Sequence, residues 1–324
     1  MKLKKLTALL LAVCMAGAIT GCGGSASSTQ AAGARSTGAA PAGSTAGSTA
    51  ADDTPQGEII VFAAASMTET LEEIKVAYEA AHPGVTITCN FDSSGTLKTQ
   101  IEEGAACDLF ISAGQKQMNQ LDITADPAIN TDGLDFVDPA TRLHLLENKV
   151  TLCVPDDNPR GIQSFDDLAA AFGAGEVLLG MGNSDVPVGQ YTQKILAYYE
   201  LDEQALASAG LITYGTNVKE VTTQVSEGSV DCGVIYCTDA FSAGLTVVDY
   251  ATPEMCGQVI YPAAVLKDAP NAAAAQAFLD YLTGAEAMAV FEKSRFLCGW
   301  LIVFAEGGGA LVHRPPPCAW IGKG

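Results

Sequence analysis

Phe62–Leu71, FAAASMTETL, and Phe91–Ile101, FDSSGTLKTQI, decide the fold. Each leaves an apolar, strand-like stretch, crosses small residues and enters an amphipathic stretch at helical spacing. Such a strand–turn–helix aims a serine hydroxyl and the unpaired N–H groups of a first helical turn at one point. That point suits a small anion. Strand-like and helix-like runs keep alternating around these two, which predicts an α/β fold with mainly parallel sheets. The predicted strands are Glu58–Ala63, Val85–Phe91, Asp108–Ser112, one run around Leu145–Val154, Val177–Met181, Cys232–Tyr236, Val247–Asp249 and Val259–Val265. The predicted helices are Met67–Ala81, Thr96–Glu103, Gln115–Leu121, Ser164–Phe172, Gly189–Tyr199, Val218–Ser226, Asn271–Leu282 and Ala285–Phe291.

Four helix starts stand out. Ser66-Met67-Thr68-Glu69 fits a capping box, and Asn217 to Glu220 repeats the device with Asn as the cap. Ser94 precedes the Gly95-Thr96-Leu97 start, and Val186-Pro187-Val188-Gly189 leads into another helix. Each alone is an ordinary cap. Four such ends, each worth about half a positive charge, would together match a dianion without Lys or Arg.

The chain has 324 residues and a net charge of −20. That balance argues against nucleic acid and anionic lipid surfaces as partners. It does not exclude an anionic ligand, because long-range charge is screened over about 8–10 Å while oriented dipoles act at contact. Residues 1–22 read as an export signal: a basic start, an apolar run from Leu6 to Ala18, and Ile19-Thr20-Gly21-Cys22, which resembles a lipobox whose cysteine receives lipid. Residues 23–57 are Gly, Ser, Ala and Thr with almost no bulky apolar side chain, a coil of roughly 30–35 Å that would tether a domain to lipid. Six cysteines fall in the core region, namely Cys89, Cys107, Cys153, Cys232, Cys237 and Cys256, without CxxC spacing or a nearby histidine, so zinc is not expected. Cys89 and Cys153 sit in strand-like runs and read as thiols.

The segments FAAASMTETLEEI, NFDSSGTLKTQIEEGAACDLFISAGQKQM, NSDVPVGQYTQKIL, TNVKEV and CGVIYCTDA resemble, in order and spacing, the molybdate-binding proteins of ABC importers. The resemblance runs from Glu58 to about Phe296. It implies a two-lobed, type II periplasmic-binding-protein-like fold, each lobe a mainly parallel sheet flanked by helices, with the ligand in the cleft between them. Lobe one would be 58–141 plus 239–296, and lobe two 142–238. Carried over by position, the ligand contacts fall on Ser66 and Ser94 through hydroxyl and N–H, on Val188 and Val218 through N–H, and on the phenol of Tyr236. The implied cargo is molybdate, with tungstate as a second. The implied partners are the importer's membrane permease subunits, and the implied protein is an extracytoplasmic monomer, anchored through Cys22, that needs no cofactor.

The chemistry of that residue set agrees. A fully deprotonated tetrahedral oxyanion only accepts hydrogen bonds, and Ser, Tyr and backbone N–H can all donate. Asp92 is the residue that raises hydrogen phosphate as an alternative; its plainer reading is a solvated turn. Sulfate stays open as well. An enzyme built on Ser66 or Ser94 would need a base. The histidines are His82 in a turn, His144 before a strand and His313 in the tail, and no GxSxG elbow is present, so a hydrolase is the weakest reading. Cys107 and Gln117 depart from the family pattern away from the contacts. Residues 297–324, LCGWLIVFAEGGGALVHRPPPCAWIGKG, depart altogether and read as an out-of-frame or misassembled end.

Overall fold

The alternation of buried strands and amphipathic helices builds two sheets, seen in a computed structural model that describes residues 55–298 together with the backbone of 302–304 and 310–312. In chain order the elements are β1 (Gly57–Ala64), α1 (Thr68–Ala81), β2 (Val85–Asp92), α2 (Ser94–Glu102), β3 (Leu109–Ile111), α3 (Gln115–Gln120), β4 (Leu143–Asn148), β5 (Val150–Val154) and α4 (Phe165–Ala174). Then come β6 (Leu179–Gly182), α5 (Pro187–Tyr198), α6 (Glu203–Ser208), β7 (Ile212–Gly215), α7 (Val218–Ser226), β8 (Cys232–Tyr236), α8 (Cys237–Ala243) and β9 (Thr246–Tyr250). Next are α9 (Pro253–Cys256), β10 (Val259–Val265), α10 (Ala272–Leu282), α11 (Ala285–Lys293) and β11 (Leu297–Cys298). Two further strands, β12 (Ile302–Phe304) and β13 (Ala310–Val312), pair only with each other.

The first sheet runs β11-β4-β10-β3-β1-β2 and the second β7-β6-β8-β5-β9. Helices flank both, as expected. The sheets are mixed rather than mainly parallel. β1 pairs in parallel with β2 and β3, and β6 with β7 and β8, whereas β4, β5, β9, β10 and β11 make antiparallel pairs. The physical reason is the crossing between sheets. A strand fed by a helix on its own sheet returns parallel, whereas a strand that enters from the other lobe can run the opposite way.

The single run expected around Leu145–Val154 is two strands. β4 ends at Asn148 in the first sheet, Lys149 crosses, and β5 starts the second. Glu147-Asn148-Lys149 is the polar break at the crossing, but it is too short to stand out as a turn between two strands, since β4 already alternates in exposure while β5 is buried throughout. The second sheet holds the chain through β9, ending at Tyr250. The sheets therefore change over at Lys149 and after Tyr250, later than the sequence limits of 141/142 and 238/239.

The strands that carry the site are rigid. β1 is buried on both faces from Val61 to Ala64, and its neighbours Leu109, Phe110 and Ile111 of β3 are fully buried. Ser164 caps α4 as its sequence promised, accepting from Asp167 N–H at 3.1 Å. All six core cysteines are free thiols. Burial pushes the Cys89 and Cys153 thiols up to about 12, which leaves them unreactive. Among the described residues no helix is long and apolar enough to cross a membrane. Cys22, residues 23–54 of the expected tether and most of 297–324 lie outside the described residues, while Gly57, the tether's expected last residue, opens β1.

Candidate oxyanion site

Ser66, Ser94, Val218 and Tyr236 meet at one small cavity of about 10 Å3 that opens to solvent. Ala64, Ala65, Asp92, Ser93, Ala113, Val186 and Pro187 complete its lining. Residues of the first sheet's lobe supply one side, and α5, α7 and β8 of the second supply the other. Among the described residues no Lys or Arg lines it, and Asp92 is its charged residue. Val188 is fully buried one residue behind the lining. Only its N–H was expected at the ligand, and as the second residue of α5 it has no intrahelical carbonyl to serve.

Helix starts position these groups, though not always through the caps the sequence suggested. Ser66 is not the cap of α1. It lies inside a short 3-10 turn, Ala65–Met67, and Met67 takes the cap position without a side-chain bond. The extra turn frees the Ser66 hydroxyl, which instead meets the phenol of Tyr261 at 2.8 Å. Ser93, not Ser94, caps α2, accepting from Thr96 N–H at 3.1 Å. Ser94 is thereby the first helical residue, fully buried, and its Oγ accepts the N–H of Ala113 at 2.9 Å. With that acceptor position filled, the Ser94 O–H is left to donate. Asn217 does cap α7, accepting from Glu220 N–H at 3.1 Å, while the Glu220 carboxylate takes the N–H of Thr216.

Tyr236 is buried and its O–H reaches the carbonyl of Ala113 at 3.3 Å. That bond is long for an O–H donor, so a better acceptor in the cavity would win it. Burial holds the phenols of Tyr236 and Tyr261 well above the usual range, so both stay protonated donors. Asp92 is not a solvated turn residue. It is half-buried, accepts the Ser93 N–H at 2.6 Å, and faces Asn217 Nδ2 of the opposite lobe at 3.5 Å.

Contacts across the cleft were not legible in the sequence. Gly95 of α2 approaches the loop before α5 so closely that a Cβ there would sit 2.2 Å from the Asp185 carbonyl oxygen. Lys219, next to Val218, reaches Glu69 of the first lobe at 2.7 Å and the buried Asp239 at 3.2 Å. Tyr261 and Asn148 were also missed. The Tyr261-Pro262 step was the available signal, since a proline inside a strand marks an edge or a bulge. The register of β10 shifts between these two residues, and the shift turns the phenol toward Ser66.

Residues 59–297 match the family described as bacterial extracellular solute-binding protein. The Bacillus subtilis (strain 168) protein YvgL, whose name places it among ABC transporter substrate-binding lipoproteins, is 35% identical over 246 residues, covering 76% of this chain and 88% of its own. The molybdate-binding protein ModA of Escherichia coli (strain K12) is 33% identical over 267 residues, covering 80% and 95%. In fold, the periplasmic molybdate-binding protein of Azotobacter vinelandii superposes with a TM-score of 0.62 at 20% identity, over 74% of this chain and 99% of the other. The mixed two-sheet fold, the cavity between the lobes and these matches together make the chain a member of the bacterial extracellular solute-binding protein family.

Proposed function

We propose that this protein captures molybdate outside the cytoplasm and delivers it to the permease subunits of an ABC importer. The observation that carries the reading is a donor cage without basic side chains, drawn from both lobes at one cavity. Ser66 and Ser94 donate through hydroxyl and N–H, Val188 and Val218 through N–H, and Tyr236 through its phenol once the anion displaces the Ala113 carbonyl. Neutral donors suit a dianion here, because a buried Lys or Arg would add a desolvation cost that oriented N–H groups avoid. The names of the relatives favour molybdate over other oxyanions. Tungstate, with the same charge and shape, is expected to share the site. The protein acts as a monomer, tethered by lipid on Cys22, and holds its cargo without a cofactor.

A hydrolase reading has little to stand on. His82 stacks on Tyr78 at 4.1 Å and bonds its carbonyl, and His144 is exposed on β4. Neither reaches a site serine to act as a base.

Thermal unfolding with molybdate, tungstate, sulfate and phosphate tests the assignment. Ligand at 100 times its dissociation constant stabilises by about 2.7 kcal/mol. The expected order is molybdate and tungstate well above sulfate, with phosphate inert; a response to phosphate and none to molybdate would overturn it. Ser94→Ala should weaken molybdate binding by about tenfold or more, the net worth of a hydrogen bond to a charged group, while the circular dichroism spectrum stays unchanged. Unaltered affinity in calorimetry would remove Ser94 from the site.

A further inference from the structure

We infer that Tyr261 and Asn148 are positioning residues that turn the Ser66 hydroxyl's hydrogen toward the cavity, and so weigh against oxyanions that carry a proton. The inference rests on the oxyanion reading above and deepens it.

The direction of each bond follows from its partners. Asn148 Oδ1 accepts the N–H of Lys149 at 2.8 Å. A backbone N–H can only donate, so the amide's NH2 must point the other way. There it meets Tyr261 Oη at 3.1 Å and Thr238 Oγ1 at 3.0 Å. An NH2 group has no acceptor capacity, so the Tyr261 oxygen receives. The phenol's own hydrogen then needs an acceptor. Ser66 Oγ, at 2.8 Å, is its one remaining partner among the described residues. Were Ser66 to donate instead, the phenol hydrogen would be buried unpaired, at the full desolvation penalty of that group. Tyr261 is fully buried, so water offers no alternative. Ser66 therefore accepts from Tyr261, and its own hydrogen is left for the cavity it lines.

Ser94 is set the same way by the Ala113 N–H. Both hydroxyls thus present a hydrogen to the ligand. A fully deprotonated anion accepts both. Hydrogen phosphate must also place its P–O–H. At either serine it meets a hydrogen, unless the hydroxyl turns its second lone pair inward and gives up its own bond to the ligand, which leaves the half-buried Asp92 carboxylate as the acceptor in the lining. Specificity then comes from polar groups that the wrong ligand leaves unpaired. Tyr261 touches no ligand in this scheme. It acts through Ser66, and the lobe crossing at Asn148 and Lys149 fixes it.

Tyr261→Phe is the test, read by isothermal titration calorimetry with molybdate, sulfate and inorganic phosphate at one pH. Phenylalanine keeps the ring, while Ser66 Oγ regains freedom to accept. The expected result is molybdate binding weakened by about tenfold, an unchanged molybdate-to-sulfate ratio, and a molybdate-to-phosphate ratio reduced by about tenfold or more. In a Ser66→Ala background Tyr261→Phe should add nothing, because the pair acts as a unit. If Tyr261→Phe does not fold, Asn148→Ala reads the same ratios, since it releases the phenol oxygen. Equal loss for all three anions, unchanged binding, or additive effects in the double variant would overturn the inference while leaving molybdate capture intact. Absence of molybdate binding by the parent protein would instead overturn the functional reading and this inference with it.

Discussion

Gly95→Ala should leave the empty protein as stable as the parent, or slightly more so, and cost it at least about 100-fold in molybdate affinity. Gly95 sits in the first turn of α2, where alanine is at least as good a helix former. The three atoms nearest the would-be Cβ all belong to Asp185 of the other lobe. The methyl group's cost lies across the cleft, where the Cβ would stand 2.2 Å from the Asp185 carbonyl oxygen and 3.0 Å from Asp185 Cβ. Neither partner can yield, because one is backbone, so the lobes must stay apart. Val188 and Val218 then fail to reach the anion held by Ser66 and Ser94. Losing two charge-assisted hydrogen bonds, each worth about 1.5–3 kcal/mol, gives the stated loss. Gly173→Ala is the control. It lies in α4, nothing stands within 4 Å of its would-be Cβ, and its affinity should be unchanged. Calorimetry on the two variants, with melting curves of the empty proteins, decides the matter. Full affinity in Gly95→Ala would show that ligand binding does not need this approach of the lobes.

Lys219→Met should destabilise the protein by about 3 kcal/mol at pH 8 and by much less at pH 5. Asp239 is buried, and its Oδ1 has Lys219 Nζ at 3.2 Å but no aligned hydrogen bond. Burial pushes its carboxyl up to about 6, with Lys219 opposing the rise. For Lys219, burial pulls the ammonium down, but Asp239 and Glu69 more than offset this and hold it above its ordinary value. Removing one partner of a buried pair typically costs about 3–5 kcal/mol, and the low end applies because the lysine is 29% exposed. The sign with pH follows from the direction of the shift. A carboxyl raised from its ordinary 3.8 favours the folded state fully below that value, and the benefit is lost as pH rises through about 6. Without Lys219 the carboxyl rises further, so the variant's deficit opens at pH values where Asp239 would have to ionise alone. Urea midpoints at pH 5 and pH 8 measure this, and Asp239→Asn in the Lys219→Met background should recover most of the loss at pH 8. A deficit equal at both pH values and untouched by Asp239→Asn would contradict the pairing. Glu69→Gln, by contrast, removes only the exposed arm of the same lysine and should cost under about 1 kcal/mol.

The strand-to-helix turns at Ser66 and Ser94 were legible because their signal is local: a β-type run, small residues, then helical spacing. Most helices and strands followed from the same patterns. The mixed pairing of the sheets did not, because Lys149 crosses between lobes with no turn or helix to mark it, only the short polar step Glu147-Asn148-Lys149. The cap of α2 moved by one residue, from Ser94 to Ser93, since two adjacent serines offer equivalent side chains and only the backbone chooses. Ser66 lies in a 3-10 turn instead of the cap position, and its hydroxyl oxygen accepts from a residue far away in sequence, the Tyr261 phenol. Short elements such as α6 and β7 had too few residues for periodicity. Everything that joins the lobes escaped sequence reading, including Gly95 on Asp185, Lys219 on Glu69 and Asp92 facing Asn217. Those contacts depend on how two sheets face each other, which no local pattern encodes.

The central claim is that an oxyanion lies between the lobes, held by neutral donors from both. A crystal structure of the protein grown with molybdate, with anomalous data at the molybdenum edge, tests it most directly. The account predicts one strong peak in the cavity, with oxygens in hydrogen-bond reach of the Ser66, Ser94 and Tyr236 hydroxyls and of the Val188 and Val218 N–H groups. A peak outside the cleft, or a cavity without molybdenum at a concentration that saturates binding in solution, would contradict it.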